Sequence, residues 1–97
     1  MAAPFEALQA PPAALEQGGT EVLRGVIVDG GLHISLRRAF DDPQAWGMLL
    51  ADIARHVARI YAREESMPEE TTIIRIRSMF DAELDMPTDP GTTSQLS

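Results

Sequence analysis

Four polar side chains crowded into one short stretch are the best candidates for chemistry. Asp52 and His56 stand four residues apart, a spacing that places both on one face of a helix, where a carboxylate and an imidazole can share a hydrogen bond. Arg55 and Arg59 repeat at the same interval, and Arg63 continues the row. A row of guanidinium groups can clamp a phosphate or carboxylate through several N–H donors. The pattern is therefore compatible with a site for an anion or small ligand.

Both features also have a plainer structural interpretation, which we favour. Asp52 and His56 would form a pair on a helix surface or at an interface. A row of like charges is usually solvated or neutralised within the molecule. Here the acids that follow the row along the chain could supply the neutralising charge: Glu69, Glu70 and Asp81.

A metal or cofactor site receives no specific support from the sequence. A zinc site would need His33, His56 and a carboxylate to converge, and nothing in their spacing requires it. Neither a glycine-rich phosphate loop nor a nucleophile motif is present. We therefore predict no catalytic residue, metal or cofactor, and retain six candidate ligand or interface residues: Asp52, Arg55, His56, Arg59, His33 and Trp46.

The element that must position most of these residues is a helix over residues 42–64. Pro43 suits the first helical position, and Asp41 or Asp42 can accept hydrogen bonds from free amide groups there. Large apolar residues recur with the helical period, which predicts one apolar side and one polar side. The apolar series is Trp46, Leu49, Leu50, Ile53, Val57, Ile60 and Tyr61.

A β-hairpin is predicted before this helix. Asp29 and Gly30 lie between two apolar runs, and Asp-Gly suits a type I′ turn because both central residues need positive φ. Val28 and Gly31 should flank the turn. In the second strand Leu32, Ile34 and Leu36 alternate with His33, Ser35 and Arg37, whereas the first strand is apolar on both faces.

The segment after the central helix fits two structures. Residues 71–76 are rich in β-branched side chains, as in a strand. Ile73, Ile76, Phe80 and Leu84 recur with helical spacing, and Pro68 followed by two glutamates is a good helix start. The length and the start signal favour a helix. Residues 20–89 would then form one domain, between an irregular arm at 1–19 and a polar tail without regular structure at 90–97.

Composition restricts the class of protein. The chain has 97 residues and a net charge of −7, which disfavours non-specific binding to nucleic acid or anionic membranes. Cysteine is absent, as expected in a reducing compartment. There is neither a secretory signal pattern at the N-terminus nor an apolar run long enough to cross a membrane. We expect a cytoplasmic protein that binds neither nucleic acid nor membrane.

The predicted fold class is α+β, a hairpin packed on two helices in the order ββαα. A two-stranded hairpin is marginal alone, and its unpaired edges invite another chain. We therefore expect the fold to be completed as a homodimer, through hairpins side by side or helices paired across a two-fold axis. The alternative is a monomer whose N-terminal arm covers the second face.

Four stretches of the sequence carry a resemblance: GGLHISL from Gly30, FDDP from Phe40, WGMLLADIARHVA from Trp46 and FDAELDMPTD from Phe80. Together they resemble a small bacterial family known as domain of unknown function 5076. The resemblance implies a small standalone bacterial domain and supplies no activity, substrate or catalytic residue. The leading hypothesis is a homodimeric structural or protein-interaction module without catalysis. The alternative is a small-ligand or anion binder, and possible enzyme, using Asp52, His56, Arg55 and Arg59.

Overall fold

Three strands and three helices make up the protein in a computed structural model, which describes residues 4–88 and 92–95. The predicted order of hairpin then two long helices is confirmed, as is the α+β class. The elements are α1 (Pro12–Gln17), β1 (Leu23–Val28), β2 (Gly31–Leu36), α2 (Gln44–Glu65), α3 (Glu69–Asp85) and β3 (Thr92–Gln95).

The hairpin turns where the sequence predicts. Asp29 and Gly30 have φ of 50° and 81°, the left-handed values that a type I′ turn requires. Val28 pairs with Gly31, and from there β1 and β2 run antiparallel to the pair of Leu23 with Leu36. Residues that pair directly point to the same side of a sheet, so this register unites the large apolar residues of both strands on one side. We call this side the sheet face: Leu23, Ile27, Leu32, Ile34 and Leu36.

The third strand comes from the segment predicted to be a tail without regular structure, so that prediction is wrong for Thr92–Gln95. β3 pairs in parallel with β2, which lies at the centre of the sheet in the order β1-β2-β3. Thr93 pairs with Ile34 and Gln95 with Leu36, which places two polar residues on the same side as the sheet face. The sequence pattern does not predict this strand because its residues are all polar and show no hydrophobic alternation. It pairs with β2 through backbone hydrogen bonds.

The N-terminus of α2 is capped by Asp42, one of the two aspartates predicted for this role. Asp42 Oδ1 accepts a hydrogen bond of 2.9 Å from the backbone N–H of Gln44, and Pro43 immediately precedes the helix. The helix ends at Glu65, where Ser66 adopts a left-handed conformation with φ of 56°. The ambiguous segment is helical, as favoured: α3 starts after Pro68 with two glutamates in its first turn.

Small residues bring α2 and α3 together. Ala58 on α2 is fully buried and Thr72 on α3 is nearly so. Further along, the cleft between the helices is bordered on α2 by Gly47, Ala51 and Ala54. These small side chains recur every three or four residues and so form one face. Of the large apolar series, Leu50 also borders this cleft, whereas the other large apolar residues of α2 do not line it.

The expected packing of the hairpin on the helices is absent within one chain. In the described part of the chain, no Cα of a strand lies within 8 Å of a Cα of α2 or α3. The residues expected to form a core are correspondingly exposed, with Leu32, Leu50, Ile53 and Ile60 each above 40%. Sheet and helix pair thus form two layers that do not cover each other.

The N-terminal arm is partly helical, since α1 lies within it. Before α1, residues 4–11 form neither helix nor strand. The Arg24 guanidinium lies 5.4 Å from the centre of the Phe5 ring, and Leu8 is almost fully exposed. The arm runs beside β1 across a broad open cleft and does not seal the sheet.

Candidate functional site

Helix α2 carries five of the six candidate residues. Asp52, Arg55, His56 and Arg59 are exposed, whereas Trp46 is half-buried. The expected hydrogen bond between Asp52 and His56 does not form. His56 Nδ1 instead lies 3.4 Å from Arg59 Nη1, one turn further along. Since a guanidinium only donates, the contact requires the neutral imidazole tautomer in which Nδ1 accepts. Asp52 therefore makes no contribution to orienting His56.

His56 and Arg59 border an open cleft of about 460 Å³ where α2 turns into α3. Arg63 and Glu69 also line it, with Ile60 and Ala62 supplying apolar surface. Arg63 is a member of the predicted arginine row that was not among the candidate residues. The i, i+4 spacing of the row was the signal that could have included it.

The arginine row does not pair with the acids of α3. Among the described residues the ion pairs within 4.0 Å are Arg24 with Glu21 and Arg38 with Asp41. In each pair the two residues are three positions apart in the sequence. The predicted neutralisation of Arg55, Arg59 and Arg63 by Glu69, Glu70 or Asp81 is thus wrong within one chain. Three like charges at four-residue intervals repel one another by a few tenths of a kcal/mol per pair.

His33 lies on β2, between Val26 on β1 and Thr92 on β3. It points to the side opposite the sheet face, and β2 makes no contact with α2. The structure therefore does not bring His33 to His56 within one chain. The described residues contain no group of three His, Cys, Asp or Glu side chains arranged to hold a metal ion.

Trp46 packs at the junction between the sheet and α2. Its ring meets that of Phe40 edge to face, with centroids 5.2 Å apart and planes at 76°. Phe40 belongs to the connection from β2, so this pair fixes the angle at which the chain enters the helix. Trp46 remains only half-buried.

Sequence reasoning did not identify the two large apolar surfaces that one chain leaves open. The first is the sheet face. The second consists of the members of the α2 apolar series that are more than 40% exposed, and we call it the helix stripe: Leu50, Ile53, Ile60 and Tyr61. The residues themselves were recognised as apolar. Their lack of cover follows from how the chain places the two layers.

The chain is similar to a solved structure and to a protein family. A solved structure from the photosynthetic bacterium Rhodopseudomonas palustrus CGA009, described as a "putative pyruvate dehydrogenase", is 46% identical to this chain, with a TM-score of 0.71 and complete coverage of both chains. No curated protein matches the chain. No helix in the described residues is both long and apolar enough to cross a membrane. The family model for a domain of unknown function (DUF5076) matches residues 7–88, most of the chain, and the chain therefore belongs to that family.

Proposed function

We propose that this protein acts as a homodimeric structural or protein-interaction module without catalytic activity. One observation carries the proposal: the sheet face and the helix stripe are both apolar and do not pack on each other within one chain. Ile27 and Leu32 of the sheet face and all of the helix stripe are therefore left exposed. Exposed apolar patches of this kind mark sites of association. A second copy of the same chain carries the same two exposed apolar surfaces, so association of two copies can bury both.

The size of the exposed surface supports a large interface. The chain exposes 8565 Å², whereas a folded protein of this mass exposes about 5,500 Å². Its radius of gyration is 15.5 Å, against about 12.5 Å for a compact chain of this length. The excess is on the order of 3,000 Å² per chain, and the exposed N-terminal arm contributes to it. Obligate homodimers bury about 1,000–2,500 Å² per chain, so the excess is large enough to include such an interface. A surface contact of a few hundred Å² would leave most of it exposed.

Catalysis on a 2-oxo acid, which the description of the solved relative names, receives no support from the clefts of this chain. Such chemistry relies on an electron-sink cofactor held in a concave pocket with converging polar groups. One cleft, about 650 Å³, lies open between the arm and β1. Two of the charged residues that line it, Arg24 and Glu21, are already joined by a 3.0 Å contact.

A bacterial, cytoplasmic setting is part of the proposal. The solved relative at 46% identity comes from a bacterium. The complete lack of cysteine fits a reducing compartment, where disulfides contribute nothing to stability. Localising a tagged copy by cell fractionation would check this, and recovery from a periplasmic fraction would contradict it.

A second function, binding of a small anion, is favoured by one observation. His56, Arg59 and Arg63 line the same cleft, and no carboxylate lies within ion-pair distance of either arginine in the described residues. Titration with inorganic phosphate, followed by NMR shifts of the α2 amides, would test it. Saturable shifts around Arg59 that disappear in Arg59→Ala but persist in Arg38→Ala would support the site. Shifts spread evenly over all arginines would contradict it.

Sedimentation equilibrium at micromolar concentration tests the homodimer directly. The single chain has a mass of 10.6 kDa, and we expect twice this value. A mass of one chain, together with strong protection of the sheet amides from hydrogen exchange, would overturn the proposal. That combination would mean that one copy seals its own sheet.

A further inference from the structure

The apolar part of the sheet face is narrow. It spans β1 and β2, which is about 10 Å across and about 20 Å along the strands. β3 adds only the polar Thr93 and Gln95 on that side. The surface that needs cover is therefore one helix wide.

The apolar series of α2 has the matching dimensions. Its exposed part, the helix stripe from Leu50 to Tyr61, extends about 17 Å along a helix about 10 Å in diameter. The helix stripe can accept another layer, because the residue of α2 that is fully buried is the small Ala58, and of the stripe Leu50 alone borders the cleft with α3. Ile53, Ile60 and Tyr61 each remain more than 40% exposed.

Within one chain these two surfaces are held apart. The connection between β2 and α2 is short, and its end is fixed by the Phe40–Trp46 ring contact and the Asp42 cap. In the described residues, no strand has a Cα within 8 Å of a Cα of α2 or α3. Helices layered on one face of an antiparallel hairpin are nevertheless a standard way to close an α+β domain.

We propose that the homodimer forms by reciprocal exchange of layers: the sheet face of each copy packs on the helix stripe of the other. This deepens the proposed function and rests on it. A two-fold axis makes the exchange reciprocal, so that one contact type covers both surfaces of both copies. Each half of the dimer is then an α+β unit built from two chains.

Two other arrangements of the dimer account less well for the exposed apolar surfaces. Pairing of the free β1 edges would form a continuous sheet but leave both apolar surfaces exposed. Sheet packed on sheet, with stripe on stripe, would cover the apolar residues. It would also enclose Thr93 and Gln95 between the sheets, where their polar groups would need new partners. Against a single helix, these two residues lie at the margin and remain hydrated.

Cysteine cross-linking separates these arrangements, because the chain contains no cysteine of its own. Leu32→Cys marks the sheet face and Ile53→Cys marks the helix stripe. The two variants are mixed, refolded together and treated with a short bismaleimide, and products are identified by mass. We expect the mixed pair to link at least tenfold more than either variant with itself. Ile74→Cys, exposed on α3 away from both surfaces, is the matched control and should link to neither.

Preferential Leu32→Cys and Ile53→Cys self-linking would overturn the exchange while leaving the homodimer intact. Absence of links in every mixture, with a sedimentation mass of one chain, would overturn both. A measurement on the unsubstituted protein guards against variants that misfold. In dimers with one isotope-labelled copy, filtered NOEs between sheet-face methyl groups and the Tyr61 ring of the other copy should appear. Their absence from a folded dimer would also overturn the exchange.

Discussion

Replacing Ile27 by alanine should weaken association strongly. Ile27 lies on the sheet face and is 68% exposed in one chain. Each buried CH₂ group contributes about 0.8 kcal/mol, so the part of the side chain left to be covered by a second copy accounts for about 1.6 kcal/mol. Both copies lose it. The dimer should therefore lose about 3 kcal/mol, a rise in Kd on the order of 100-fold.

Ile74→Ala is the matched control for this change. Ile74 is also an isoleucine, is 62% exposed and lies on α3 away from the cleft with α2. Because no association is assigned to its surface, its replacement should alter the dimer Kd less than threefold. Both values are measured by sedimentation equilibrium across a concentration series. If Ile27→Ala weakens the dimer no more than Ile74→Ala does, the sheet face is not part of the interface.

Three further predictions concern stability, each measured by urea unfolding at fixed protein concentration. Asp42→Ala removes the cap on Gln44 and should cost about 1 kcal/mol, whereas Asp41→Ala should cost much less because its 3.7 Å pair with Arg38 is fully exposed; equal losses would contradict the capping role. Thr72→Val should stabilise the protein by about 1 kcal/mol, since the buried Thr72 hydroxyl has no hydrogen-bond partner among the described residues. A loss of stability would reveal such a partner. Ala58→Leu should cost about 1–3 kcal/mol by forcing α2 and α3 apart, and a neutral result would show that the helices do not depend on this contact.

Local chemistry made much of the fold predictable. Asp29-Gly30 specified the turn because few residues adopt two successive left-handed conformations, and the turn in turn set the register of β1 and β2. Pro68 with its following glutamates specified the start of α3 against the competing strand pattern. β3 was missed because four polar residues pairing through backbone groups leave no hydrophobic alternation to detect.

The candidate site was predictable only as far as one helix extends. Asp52, Arg55, His56 and Arg59 share α2 because periodicity alone places them there. Their contacts were not predictable: His56 meets Arg59 and not Asp52, although both lie about one turn away. The choice depends on side-chain rotamers, which spacing does not determine.

The sequence by itself determined the hairpin, the two long helices and the apolar side of each, because turn, cap and periodicity signals act within a few residues. Only the tertiary structure decided which surfaces meet. It turned the small residues of α2 and Leu50 toward the cleft with α3, and in the described part of the chain it left the sheet without α2 or α3 against it. The physical reason is that contact between layers depends on the path of the connecting chain and on the total area to be covered, which no local pattern encodes.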